Sequence, residues 1–232
     1  MSFTRRSGAA VLAPTYLASG NNYGKSGVVA ASGPPVFSAA TTNVPLGPVA
    51  SVALNVPAGV QNGYLLVAGI FDYTGSSTPT INTPTGWTKL TAASSTGTVH
   101  AFSVFWRTAL SEPASYTWTG TSGDWAGAMV SYTSGAPDGS SAFTTNGGQT
   151  WTTPAFTAGN AGDTVILLSG WLGDTTVVAG PGGSTARASA TSGLNEGIQA
   201  LDIAAATVNV PAYTSGLHVA GCHMGAAAVA IH

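Results

Sequence analysis

The amino-acid sequence predicts an all-β protein, a jelly-roll-like antiparallel β-sandwich built from two weakly repeated halves. Three observations predict this fold. A segment of strand length returns later in the chain, with Gly69 and Gly170 at matching positions (170 − 69 = 101). Turn signals separate the apolar segments at intervals of roughly 8–12 residues, as in sandwiches and barrels. Helical patterns are weak, because the Ala-rich segments are short or contain Val, Ile and Gly.

The repeat consists of three pairs of matching segments. In each half an apolar segment of strand length comes first, a Pro-x-Gly turn follows it, and a run of small and apolar residues comes last. A repeat of this length is a complete sheet-forming unit, because solenoid and propeller repeats have roughly 20–50 residues. The pairs are 63–72 with 163–172, 84–86 with 181–183, and 126–130 with 224–229.

The chain divides into an arm and a sandwich. Residues 1–45 are rich in Gly, Ser, Ala, Asn and Pro without a sustained period, which predicts an extended N-terminal arm or linker. Residues 46–232 are predicted to form the sandwich, with its pseudo-repeat halves at about 50–135 and 152–232. The sequence Ala-Pro-Asp-Gly at 136–139 predicts a turn between them.

Individual strands follow from the hydrophobic pattern. Residues 64–71 form an almost unbroken apolar run, which is typical of a strand buried on both faces. Residues 100–107 alternate between apolar and polar side chains, which is the half-buried pattern. The small-residue segment at 217–231 is predicted to be a strand by analogy with 125–133.

Charged residues are scarce. The chain has six Lys and Arg and eight Asp and Glu, 6% of its residues with a net charge of −2, against about 25% charged residues in an ordinary soluble protein. No basic cluster indicates a nucleic-acid partner, and no apolar run reaches the ~18 residues of a membrane span. A weakly charged surface favours association. We therefore expect a homo-oligomer or a subunit packed against others, without nucleic-acid or membrane partners.

The sequence predicts neither a catalytic group nor a cofactor. Cys222 is the one cysteine of the chain, and its apolar neighbours favour a buried, inert thiol. On a regular strand His218 would lie roughly 13 Å from Cys222, too far for a nucleophile and its base. His218 and His223 would point to opposite faces, so no metal site is expected from them.

Four acidic residues deserve separate consideration. Asp72 and Asp174 each follow the first strand of their half, where carboxylates and loop carbonyls suit calcium. Asp is also common in turns because its side chain bonds nearby amides, and we treat both only as weak calcium candidates. Glu112 and Asp124 would resemble a glycosidase acid–base pair if they approached each other, but solvated loop carboxylates are the simpler interpretation.

The tryptophans offer a speculative ligand site. Trp106 and Trp171 lie on predicted strands and are expected in the core. Four others lie near turns, where they could form a platform on which a glycan stacks. Aromatic side chains also build cores and interfaces, and we prefer that interpretation. The platform candidates are Trp87, Trp118, Trp125 and Trp151.

Five packing and turn motifs lie in the first half. They are Pro-Thr-Gly-Trp-Thr at 84–88, Val-Phe-Trp-Arg-Thr-Ala at 104–109, Glu-Pro at 112–113, Tyr-Thr-Trp at 116–118 and Ala-Gly-Ala-Met-Val-Ser-Tyr at 126–132. This pattern resembles a β-sandwich domain of tailed-phage structural proteins, in particular minor tail and virion-surface proteins of phages infecting actinobacteria. The resemblance covers about 50–135 well and 155–232 weakly.

The resemblance implies a non-enzymatic virion component, a minor tail, tail-tip or surface decoration subunit. Such a subunit would be made in the host cytoplasm and would contact other virion subunits. The alternative is a carbohydrate-binding module that recognises host cell-wall glycan.

Overall fold

The computed structural model describes residues 35–94, 99–204 and 208–232, without the side chains of residues 145–147. These residues form thirteen strands and no α-helix; none of them belongs to a helix that could cross a membrane. The strands are β1 (Phe37–Asn43), β2 (Val49–Asn55), β3 (Leu65–Tyr73), β4 (Thr88–Ser94), β5 (His100–Thr108), β6 (Ser115–Tyr132), β7 (Pro137–Gly148), β8 (Phe156–Thr157), β9 (Thr164–Leu172), β10 (Thr185–Thr191), β11 (Glu196–Ala204), β12 (Asn209–Val210) and β13 (Cys222–Ile231).

The strands form two large antiparallel sheets, each drawn from one half of the chain. The first has the order β1-β6-β3-β5-β4, and β2 pairs with the N-terminal part of the long strand β6. The second has the order β7-β13-β9-β11-β10, and the short pair β8 and β12 lies apart from it. The all-β antiparallel sandwich made of two repeated halves is therefore confirmed.

The same strand order in both sheets shows the repeat in three dimensions. Strands β3, β4 and β5 correspond to β9, β10 and β11, and β6 corresponds to β12 and β13 together. The two halves also have a β-bulge at the matching position. The residue without a partner on the neighbouring strand is Leu90 in β4 and Arg187 in β10. These two positions lie 97 residues apart (187 − 90 = 97), the same spacing as the turns at 84–86 and 181–183.

The two sheets face each other in reverse order. Strand β1 contacts β10, β6 contacts β11, β3 contacts β9, β5 contacts β13, and β4 contacts β7. A twofold axis between β3 and β9 would relate the halves in this way. The sandwich therefore resembles a dimer of two sheets joined in one chain.

The halves share one core between the sheets. Its closest contacts use glycine, because a Cβ on Gly170 would lie 2.5 Å from Phe71 Cβ and a Cβ on Gly225 would lie 2.4 Å from Phe102 Cβ. Only glycine lets the backbone approach an aromatic ring of the other half so closely. The buried residues of this core are Leu65, Val67, Phe71, Phe102, Val104, Ala126, Ala128, Val130, Tyr132, Ile166, Leu168, Ile198, Ala200, Ala227, Val229 and Ile231.

Each sheet also has a core on its outer face. The central strands β3 and β9 are buried on both faces, as the unbroken apolar run at 64–71 predicted. Over the first sheet, Trp87, Trp118 and Trp125 pack with residues of β2, β3 and β6. Over the second sheet, Trp151 and Trp171 pack with residues of β9 and β13.

Three boundaries differ from the sequence prediction. Strand β1 belongs to the first sheet, so the sandwich begins before residue 46, whereas residues 1–34 of the predicted arm lie outside the described part of the chain. The segment 137–148 is strand β7, and the bend between the halves precedes Pro137 at 133–134. Proline is tolerated there because it is the first residue of an edge strand. Residues 217–221 precede the strand that they were predicted to begin.

Candidate functional site

The four tryptophans predicted as a glycan platform lie in the interior. Trp87 is 6% exposed, Trp151 1%, and Trp118 and Trp125 are fully buried. Trp87 meets Trp118 edge to face with ring centroids 5.1 Å apart, while Trp151 lies in the core over the other sheet. These indoles therefore do not form a common exposed surface, and their role here is packing.

Asp72 lies at the end of β3 in a buried, unpartnered position. Its carboxyl group is fully buried, and neither oxygen has a hydrogen-bond partner. Burial, and then the nearby charge of Asp124, raise its pKa to about 8. The group is therefore mainly protonated at neutral pH, unlike an ordinary calcium ligand.

Asp124 interacts electrostatically with two other carboxyl groups, those of Asp72 and Glu196. Burial raises the pKa of Asp124, and burial together with the charge of Asp124 raises that of Glu196. Glu112 has different partners: its carboxylate lies 2.9 Å from Arg107 Nη2 and accepts a hydrogen bond of 2.5 Å from the Tyr116 hydroxyl. The structure shows no contact between Glu112 and Asp124, the two residues that the sequence suggested as a glycosidase-like acid–base pair.

The second calcium candidate, Asp174, holds two loops together. Its Oδ1 accepts hydrogen bonds from the backbone N–H and hydroxyl of Thr176, and its Oδ2 accepts one from the backbone N–H of Val219. His218 Nδ1 lies 3.2 Å from the same Oδ2. Burial alone would raise the pKa of Asp174, but these hydrogen bonds hold it below its usual value.

The expected separation of His218 from Cys222 is wrong. It assumed one regular strand, but β13 begins at Cys222, and the preceding loop turns at Gly221, whose φ is +93°. As a result, one donor atom from each of Asp174, His218 and Cys222 lies within 4.8 Å of the other two. A glycine before the strand was the available signal, since glycine favours this backbone conformation.

This cluster has the residue types of a thiol-nucleophile triad but not its electrostatics. Burial, and then the charge of Asp174, raise the pKa of Cys222 to about 11. Its side chain is fully buried. A reactive cysteine needs a lowered pKa and access to substrate, and Cys222 has neither in this structure. The burial of the thiol is as the sequence predicted.

Two histidines that are far apart in the sequence, His100 and His223, lie close together in the structure. The rings of His100 and His223 lie 5.4 Å apart between centroids, and Tyr73 contacts His223 at 4.7 Å. His100 Nε2 lies 3.2 Å from the carbonyl oxygen of Met224. Burial, followed by the charge of His223, lowers the pKa of His100 to about 4, which keeps this ring neutral in the interior.

Comparisons with protein-family models, with curated proteins and with solved structures gave no match. The resemblance of the sequence motifs to tailed-phage structural proteins therefore stays a prediction.

Proposed function

We propose that this protein is a non-enzymatic structural subunit of a tailed-phage virion, a minor tail, tail-tip or surface decoration protein. It assembles with other virion subunits and with its own copies through its N-terminal arm and its uncharged β surface. The observation that supports this most strongly is where the charged side chains lie. Among the described Lys, Arg, His, Asp and Glu residues, only Lys89 and His232 are exposed.

The other described charged side chains are buried or half-buried, and several of them form ion pairs. Arg107 pairs with Glu112, and Arg187 Nε lies 2.6 Å from an oxygen of Asp202. The described surface therefore has little charge to keep copies of the protein apart in solution. Such a surface suits a subunit that is covered by neighbours.

Exposed apolar side chains also support association with other subunits. Leu46 is 74% exposed, Leu217 73% and Leu110 67%. Single exposed leucines are common, but here they lie on a surface without the charges that usually surround them. In addition, β4 and β10 end their sheets, and an edge strand offers unpaired backbone groups to a neighbouring chain.

The alternative, a carbohydrate-binding module for host cell-wall glycan, has less support. Sugar recognition by stacking requires an exposed aromatic face. Within residues 35–94, 99–204 and 208–232, every aromatic side chain is buried or half-buried. A glycan partner would need another mode of binding on this part of the chain.

Association tests the proposal on the purified full-length chain. We expect light scattering after gel filtration to show oligomers or higher assemblies that dissociate on dilution. Leu46→Glu and Leu217→Glu place charge on the two most exposed leucines and should weaken association about tenfold, or ~1.4 kcal/mol. Thr83→Glu adds the same charge at an exposed polar position and is the control. A chain that stays monomeric at every concentration, alone and with purified particles, would contradict the proposal.

A further inference from the structure

Three side chains of metal-ligating types form a buried cluster at one end of the second sheet. Asp174 follows β9, His218 lies in the loop before β13, and Cys222 begins that strand. The three side chains are 4%, 3% and 0% exposed. We propose that this cluster is a binding site for a divalent transition metal ion, with Zn²⁺ as the best-fitting ion.

Geometry is the first argument. One donor atom of each residue lies within 4.8 Å of the donors of the other two, so small side-chain movements can bring all three to one ion. Asp174 lies in the loop after β9, whereas His218 and Cys222 lie in the loop before β13 and at the first residue of that strand. Backbone hydrogen bonds hold the first loop beside β11, because the N–H groups of Gly173 and Asp174 donate to the carbonyl of Asn195. The approach of the three donor atoms is therefore built into the fold.

The imidazole of His218 faces the cluster through Nδ1, which lies 3.2 Å from Asp174 Oδ2. The two nitrogens of an imidazole point away from each other, so an ion shared by His218 and Asp174 would bond to Nδ1. The unpaired Nε2 lies on the far side of the ring and is not a ligand of this ion. Both side chains are buried at the Nδ1–Oδ2 contact, and a bound ion would replace this contact with two metal–ligand bonds.

The donor set selects the kind of ion. Calcium takes only oxygen ligands, so the thiol of Cys222 and the imidazole of His218 exclude the calcium site that was considered for Asp174. Sulfur, nitrogen and carboxylate oxygen are the usual ligands of Zn²⁺, which takes four. Three protein ligands leave one tetrahedral position for a water molecule.

Charge balance fits the buried location. Binding requires that the S–H bond of Cys222 breaks, that its proton passes to the buffer, and that the thiolate bonds to the metal. The thiolate and the Asp174 carboxylate then carry two negative charges against the two positive charges of the ion. A neutral site is far less costly to bury than an isolated thiolate.

Binding of cobalt tests the proposal on the full-length protein, because Co²⁺ occupies zinc sites and reports a thiolate ligand by a near-ultraviolet charge-transfer band. The chain has one cysteine and four histidines, all after residue 99, so such a band arises from Cys222 alone. We expect saturation at one Co²⁺ per chain and displacement by Zn²⁺. Cys222→Ser should lose the band, and Asp174→Asn and His218→Gln should weaken affinity at least about tenfold.

The matched control is His232→Gln, which breaks another Asp–His pair, His232 with Asp138 at 3.1 Å; it should bind cobalt as the wild type does. No saturable band, or equal affinity in Asp174→Asn and His218→Gln, would overturn the proposal. A second measurement needs no variant: Zn²⁺, but not Mg²⁺, should slow the modification of Cys222 by a thiol reagent in mild denaturant. Equal rates with the two ions would also overturn it.

Discussion

The hydroxyl of Tyr132 donates a hydrogen bond of 3.1 Å to Asp202 Oδ2, which joins the last strand of the first half to the second half. Arg187 Nε lies 2.6 Å from the same oxygen, and its guanidinium lies over the ring of Phe37 at 4.5 Å. Burial, followed by the charge of Asp202, raises the pKa of Tyr132. The hydroxyl therefore stays protonated and acts as a hydrogen-bond donor.

Tyr132→Phe tests this link between the halves. It removes one buried hydrogen bond to a carboxylate, and we expect a loss of about 1.5–3 kcal/mol in the free energy of unfolding. Urea denaturation followed by tryptophan fluorescence gives this value. Tyr64→Phe, at a half-buried position of the first half, is the control and should change little. Equal effects of the two variants would contradict a specific link between Tyr132 and Asp202.

Gly170→Ala tests the close approach of the two sheets. The added Cβ would lie 2.5 Å from Phe71 Cβ, so the sheets must move apart, at a cost of about 1–3 kcal/mol. Gly182→Ala is the matched control, since a Cβ there meets nothing within 4 Å. Thermal unfolding should show a lower melting temperature for the first variant only. Unchanged stability of Gly170→Ala would contradict the packing of β9 on Phe71.

Asp72→Asn tests the buried carboxyl. Its pKa is about 8 in the folded protein against 3.8 as the ordinary value, so between these pH values the folded state holds a proton that the unfolded state releases. Stability therefore falls as the pH rises through this range, at up to about 1.4 kcal/mol per pH unit. Below the ordinary value both states are protonated and the penalty disappears.

The measurement is urea unfolding of wild type and Asp72→Asn from pH 4 to 9 (roughly the window that the two pKa values define). The amide cannot ionise, so the variant should gain stability relative to the wild type as the pH rises, and the difference should level off above the folded pKa. Parallel pH profiles of the two proteins would show that Asp72 ionises freely in the folded state.

Trp118→Ala separates packing from ligand binding. Trp118 is fully buried and contacts Trp87 and Phe105, so we expect its truncation to cost about 3–5 kcal/mol. Glycan arrays with the folded wild type should show no binding through this side chain. A Trp118→Ala variant with wild-type stability but lost glycan binding would reverse this assignment and favour the carbohydrate-binding alternative.

The sequence predicted the bounds of the strands well where local pattern decides them, since the segments 64–71 and 100–107 became β3 and β5 nearly at their predicted bounds. The half-buried pattern predicted for 100–107 is wrong, because residues 100–105 are buried on both faces of the sheet. The sequence could not show that each half would place its main strands in one large sheet. That outcome depends on contacts such as Phe71 with Gly170, which lie far apart in the chain.

The candidate site was missed for a related reason. The distance from His218 to Cys222 was calculated for an extended strand, but Gly221 turns the chain just before β13. Asp174 comes from another loop, and no short-range pattern links it to His218. For the tryptophans, the sequence suggested a surface site that the structure does not contain at these residues. Their proximity to turns did not mean exposure, because the loops cover the outer faces of the sheets.

Our main proposal is that this chain is a subunit of a virion. Its strictest test is quantitative mass spectrometry of density-purified particles from the host in which the gene is expressed. We expect the chain at a fixed number of copies per particle. It should stay bound after washing in high salt, because its surface binds through few charges. Absence of the chain from purified particles, with the protein present in the lysate, would rule this role out.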